Sequence, residues 1–167
     1  MKSPSIHSSV FVHASAVIIG DITIGEHASI WPGTVLRGDI NSIQIGRYTN
    51  IQDLTLVHVD KDAPCIIGDY VVCGHQVTLH GCKVGNGSLI GIGAIVLSHA
   101  VVGSNVIVGA NALVPEGKVL EDGFVYFGSP AKKIRPITDE DKKKIRTNTE
   151  EYAVLAKHYK HWEFAEE

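Results

Sequence analysis

The chain has 167 residues, 44% hydrophobic and 20% charged, with a net charge of −3. That supplies apolar material for one domain with a small appendage and argues against disorder. A weak negative balance offers no basic field for nucleic acid or for an anionic membrane surface, and the densest positive run is the short stretch Lys142 to Lys144. No apolar run approaches the length of a membrane span, and MKSPSIHSS at the start lacks the apolar stretch of a secretory signal, so a cytoplasmic protein is expected. Three cysteines without CxxC spacing, Cys65, Cys73 and Cys82, fit reduced thiols, with Cys73 in the core.

In chain order, residues 1–11 read as an N-terminal cap and residues 12–125 as one long repeat. Apolar residues recur every six positions: Val12, Ile18, Ile24, Ile30, Leu36, then Ile45, Ile51, Val57, then Ile67, Cys73, Leu79, then Val84, Ile90, Val96, Val102, Val108, Val114, Leu120. The register breaks three times: three residues are added between Leu36 and Ile45, four between Val57 and Ile67, and one is lost between Leu79 and Val84. Neither a helical period of 3.6 nor a strand period of 2 gives this spacing. A hexapeptide solenoid does, since three hexapeptides make the three faces of one triangular coil and successive coils stack about 4.8 Å apart as parallel strands. The expectation is an all-β solenoid, a parallel β-helix of about six coils.

The residue after each apolar position sorts by face. One face reads Gly25, Gly46, Gly68, Gly85, Gly103, Glu121; the second reads His13, Trp31, Gln52, Gly74, Gly91, Gly109; the third reads Ile19, Arg37, His58, His80, Leu97, Pro115. His58 and His80 thereby become ladder neighbours. Residues 126–137, with Gly128, Pro130 and Pro136, read as an extended connector. In 138–167, Thr138 offers an N-cap and Asp139, Glu140 and Asp141 suit a first helical turn. Ile145, Tyr152, Leu155, Ala156 and Tyr159 fall near helical spacing, so a C-terminal α-helix is expected, with an interruption around Thr147 to Thr149.

Chemistry concentrates in VCGHQVTLHG, Val72 to Gly81. His58, His75 and His80 make a three-imidazole set suited to zinc, with a coordination position left open for water. His75 lies on the second face and the other two on the third, so one chain is not expected to bring all three to one ion. Subunits packed side by side in a trimer would let His75 complete the site in trans. His99, at an outward turn, is a candidate proton relay; His7, His27, His158 and His161 read as solvated or packing residues.

The hexapeptide repeat, together with LRGD at Leu36 to Asp39, NIQD at Asn50 to Asp53, the pair Val57 and His58, GHQVTLHG at Gly74 to Gly81 and GSPAKKIR at Gly128 to Arg135, resembles the γ-class carbonic anhydrase family over nearly the whole chain. The resemblance implies a left-handed β-helix that forms a homotrimer. It implies Zn2+, with Fe2+ or Co2+ as substitutes, on His58 and His80 of one chain and His75 of its neighbour. It implies that Arg37, Asp39 and Asp53 form interface ion pairs, with Arg37 also meeting bicarbonate, and that Gln52 bonds the metal-bound hydroxide. For Arg37 and Asp39 a purely structural ion pair is the alternative. The family's two glutamate-bearing shuttle loops correspond here to DINSIQ and HVDKDAPC, which contain no glutamate. Asp60 and Asp62 lie near the same place in sequence, and Tyr152 belongs to a helix that can approach the site.

The expected function is reversible hydration of carbon dioxide to bicarbonate by zinc-bound hydroxide at a trimer interface, slowed by loss of the shuttle. Leu97 and Ile19 would wall a small apolar pocket. Two other classes stay open: coenzyme A chemistry, as thioesterase or acyltransferase, and a non-catalytic metal-binding trimer.

Overall fold

One inward residue in six is too few to fill a triangular coil, and a second inward position completes it. In the computed structural model, which describes residues 2–159, the residue two before each repeat position also points inward, except before Leu120, where Lys118 is exposed. Many of these are small: Ala28, Thr34, Thr49, Thr55, Ser88, Ala94, Ala100 and Ala112 are all buried. The hydroxyls among them donate to backbone carbonyls of the next coil, Thr49 to Gly68 at 2.7 Å, Thr55 to Gly74 at 3.0 Å and Ser88 to Gly103 at 2.8 Å. A buried hydroxyl thus stays satisfied while its small side chain leaves room for the larger residue two positions on.

The result is a parallel β-solenoid of about seven turns followed by one helix, a slightly larger coil count than the repeat predicts. The extra turn comes from both ends. Ser5–Ile6 already pairs in parallel with Thr23 and Ile24, inside the segment read as a cap, and Phe124–Phe127 adds a rung beyond Leu120. The register is the one the six-residue period dictates. Ile51 pairs with Cys73 and Ile90 with Cys73 on the second face; Leu36 pairs with Val57 and Leu79 with Val57 on the third; Ile67 pairs with Val84 on the first.

Corners need a left-handed residue. His27, Tyr48 and Tyr70 occupy one corner in successive coils with φ between 54° and 57°, and Gly87 and then Asn105 follow them there. That conformation is costly for bulky side chains. Stacking compensates: Tyr48 and Tyr70 lie 5.1 Å apart and nearly parallel, His27 sits 4.8 Å from Tyr48, and the Arg146 guanidinium lies 3.6 Å over Tyr70. Gly20 is required for another reason, since Val17–Ile24 runs beside Val35–Ile45 and a Cβ there would fall 2.1 Å from the Gly38 carbonyl oxygen.

The connector is not a simple extended link. Phe124–Phe127 and Lys132–Pro136 form an antiparallel hairpin that closes the second face. Helix α1, Asp139–Tyr159, then runs without interruption. Thr149, near the expected break, turns its hydroxyl back to the Arg146 carbonyl and stays in the helix. Thr138 caps as expected: its Oγ1 accepts from the Asp141 amide at 3.1 Å, and the Asp141 carboxylate accepts from the Thr138 amide at 2.9 Å. α1 lies over the second face, with Trp31 edge-on to Tyr152 and Tyr159 and Phe11 beside them. Ile145, Thr149 and Ala156 are its buried residues; Leu155 faces outward. His161 lies outside the described residues. Among those described, no helix is long and apolar enough to cross a membrane.

All three cysteines are buried free thiols. Cys65 and Cys82 stack with sulfurs 3.9 Å apart, and burial pushes the Cys73 thiol far above its ordinary value.

Candidate metal centre

The third face carries Arg37, His58 and His80 as consecutive ladder partners. Their side chains alternate with the buried Leu36, Val57 and Leu79, so the same register that fills the core points them outward together. His58 Nδ1 and His80 Nε2 approach to 3.0 Å, and their rings are tilted by 55°. The two remaining nitrogens have different partners. His58 Nε2 lies 3.2 Å from Asp39 Oδ1, and Asp39 Oδ2 accepts from Arg37 Nη1 at 2.6 Å. His80 Nδ1 lies 2.9 Å from Ser98 Oγ, whose hydroxyl donates to Asp60 Oδ2.

The direction of these bonds decides which nitrogens carry protons. An ionised carboxylate only accepts, so Asp39 draws the proton of His58 to Nε2. Ser98 has one hydroxyl hydrogen, and Asp60 takes it. Ser98 can therefore only accept from His80, which places the His80 proton on Nδ1. Both carboxylates hold their charge firmly: the Arg37 hydrogen bond keeps Asp39 below the ordinary carboxylate value, and the Ser98 hydrogen bond does the same for Asp60. Two lone pairs then face each other across 3.0 Å. They repel unless a proton or a metal cation lies between them, and tetrahedral coordination at zinc–nitrogen distances of 2.0–2.1 Å separates two nitrogens by about 3.3 Å. The residues fit a divalent cation.

His75 lies elsewhere on the same chain. Its Nδ1 is 3.0 Å from Asp53 Oδ2 on the second face, which by the same reasoning leaves its Nε2 with a lone pair. Among the described residues of one chain no group of three or more potential ligands converges. Each imidazole nevertheless has the same arrangement, one nitrogen held by a carboxylate or by a carboxylate-bound hydroxyl and the other free to ligate, the pattern that orients metal-binding histidines.

The remaining sequence-predicted residues divide between these two faces. Gln52 is buried under α1 and its amide donates to Asn50 Oδ1 at 3.0 Å; Asn50 in turn donates to Asn148 of the helix. Tyr152 packs on Trp31 near Asp53, and burial, followed by the Asp53 charge, raises its phenol above the ordinary value. Asp60 is hydrogen-bonded to His80 through Ser98 and lies 3.5 Å from His80 Nδ1 itself. Asp62 and His99 face each other at 3.7 Å on the rim of a separate hollow of about 260 Å3, lined also by Pro64 and Lys83. Ile19 is exposed next to Arg37, and Leu97 is half-buried next to His80. Ser98 is the residue that sequence reasoning passed over. Its position two beyond Val96, stacked over Gly81 and Val59, is the one signal that could have found it.

Comparison with known proteins gives the same setting. A family model described as bacterial transferase hexapeptide (six repeats) matches residues 3–38 and 81–116. The chain is 46% identical to a protein of Methanocaldococcus jannaschii named "Probable carbonic anhydrase", covering 90% of this chain and 95% of that one. It is 49% identical to "Uncharacterized transferase YtoA" of Bacillus subtilis over 94% of this chain and 92% of the other. A crystal structure described as a hexapeptide transferase family protein from Anaplasma phagocytophilum superposes with a TM-score of 0.90 at 41% identity, covering 93% of this chain and 92% of that one. With such identity across nearly its full length, on a solenoid of this register, the chain belongs to the γ-class carbonic anhydrase family of hexapeptide-repeat proteins.

Proposed function

We propose that this protein catalyses metal-dependent reversible hydration of carbon dioxide to bicarbonate. It would work as a homotrimer, with Zn2+, or Fe2+ or Co2+ in its place, held by His58 and His80 of one copy and His75 of the next. The observation that carries the proposal is the approach of His58 Nδ1 and His80 Nε2 to 3.0 Å while the other nitrogen of each ring is held by Asp39 or by Ser98. When bound, a divalent cation supplies Lewis acidity that makes hydroxide available near neutral pH. His75, 44% exposed at its side chain, keeps its Nε2 free for a partner because Asp53 holds Nδ1.

The surrounding residues supply orientation. Gln52, pinned through its amide N–H to Asn50, keeps its carbonyl oxygen available to accept a hydrogen bond from water and so to aim it. Arg37 uses one N–H on Asp39 and retains others for the oxygens of bicarbonate. Tyr152 stays protonated at neutral pH and offers a hydroxyl beside Asp53. The name of the Methanocaldococcus relative supports this reading.

The test is direct. Purified protein should hold about one cation per chain and accelerate CO2 hydration in a stopped-flow assay, and His80→Ala should lose both. His75→Ala and His80→Ala are each inactive alone; mixed trimers regain roughly one quarter of the sites if the ligands come from two copies. Metal-replete protein hydrating CO2 at the uncatalysed rate sinks the proposal. A second reading, coenzyme A chemistry with Asp39-oriented His58 as base, draws on relatives named transferases. Acyl transfer by fully metal-stripped protein would favour it, thioester hydrolysis lost on stripping would favour a metal-dependent thioesterase, and retained cation with no turnover of either substrate class would leave a binding protein.

A further inference from the structure

We infer that Ser98 and Asp60 act together as a positioning pair that fixes His80 in its Nδ1-protonated tautomer and so keeps Nε2 aimed at His58. The inference rests on the reading of His58 and His80 as cation ligands, and adds to it two residues that no ligand set contains. In water a neutral imidazole is free to exchange its proton between nitrogens, and a ligand histidine must hold it on the nitrogen that does not ligate. His58 achieves this directly with Asp39. His80 has no carboxylate in bonding contact: the nearest, Asp60, lies 3.5 Å from Nδ1. Ser98 fills the gap, accepting from Nδ1 at 2.9 Å while committing its own hydrogen to Asp60.

The fold makes the bridge possible. Ser98 is 8% exposed and sits one coil beyond His80, whereas Asp60 belongs to the loop that leaves the coil before it. Gly81 lies between them, and a Cβ there would come within 3.4 Å of the Asp60 amide nitrogen. The Asp60 backbone is itself anchored by paired hydrogen bonds with Ala63, at 2.9 and 3.2 Å. The carboxylate thus reaches Ser98 from a fixed base.

Two variants test the pair. Ser98→Ala removes the acceptor for Nδ1; Asp60→Ala frees the Ser98 hydrogen to donate to Nδ1 and leaves the Asp60–Ala63 backbone bonds in place. In metal-free protein, long-range proton–nitrogen NMR should find the His80 proton on Nδ1 in the wild type and moved to Nε2 in both variants. Zinc affinity, measured by competition with a chelator, should fall about 10–100-fold in each, and Ser98→Thr, which keeps the hydroxyl, should restore most of it. A wild-type His80 protonated on Nε2 alone overturns the inference, and so does unchanged zinc affinity in both variants. Wild-type protein that binds no zinc yet loses the Nδ1 proton on Ser98→Ala upholds the tautomer lock and overturns the metal reading instead.

Discussion

The coils from Arg37 to Gly81 and those from Val84 to Leu120 share one ladder and differ at one corner. In the later coils the step from the third face to the first is the regular six residues, as from Val96 to Val102 and from Val114 to Leu120. In the three earlier coils it is nine, ten and five: Leu36 to Ile45, Val57 to Ile67 and Leu79 to Val84. All three breaks in the period fall at this corner, in consecutive coils, and each immediately follows a polar ladder residue, Arg37, His58 or His80. The regular coils are scaffold. The irregular corner is where Asp39 and Asp60 are brought over the histidines: the longer steps of nine and ten residues carry the backbone away from the core just after Arg37 and His58.

This division can be broken experimentally. The largest effect is a double dissociation: His80→Ala should abolish cation binding with little change in thermal stability, whereas Ile90→Ala, fully buried in a regular coil, should cost about 2–5 kcal/mol with the cation affinity per folded chain intact. Equal stability losses, measured by denaturant titration, would erase the distinction. Next is Gly85→Ala, where a Cβ would fall 2.6 Å from the Gly103 carbonyl carbon and the Ser104 nitrogen; forcing two rungs apart should cost about 1–3 kcal/mol. Thr138→Ala should cost about 1 kcal/mol, read as a lower melting temperature of α1 by circular dichroism.

The smallest effect is in acid. The Arg135 hydrogen bond holds Asp141 well below the usual carboxylate range, with the Thr138 amide and hydroxyl adding to it. A carboxylate with a lowered folded value stabilises the fold above its unfolded value, about pH 4, and loses that contribution as pH falls towards the folded value. Helix signal should therefore decline below about pH 4, and Asp141→Asn should flatten that decline. A variant with an unchanged acid limb would show that the cap is not held by charge.

The register was legible because a buried position every six residues is imposed by the geometry of a coil, and no local propensity competes with it. That made the His58–His80 pairing and the opposite placement of His75 readable from spacing alone. The hairpin at Phe124–Phe127 and Lys132–Pro136 was less so, since Gly128 and Pro130 mark a turn without saying whether the chain doubles back. Thr149 was misjudged for a similar reason: β-branched and hydroxyl side chains lower helix propensity, but the hydroxyl bonds within the helix and its packing against the solenoid outweighs that cost. Ser98 was invisible because its role comes from Asp60, and a loop of irregular length has no period by which to place its carboxylate.

The terminal hairpin has a consequence for how the molecule behaves in a crowded solution. A parallel solenoid ends in a row of unpaired backbone donors and acceptors, and an identical chain could add there indefinitely. On the second face Lys132–Pro136 runs antiparallel to the last rung and presents Lys132, Lys133, Arg135 and Pro136 at that edge. Reversed direction, positive charge and a residue without an N–H each discourage another copy from docking in register on this face.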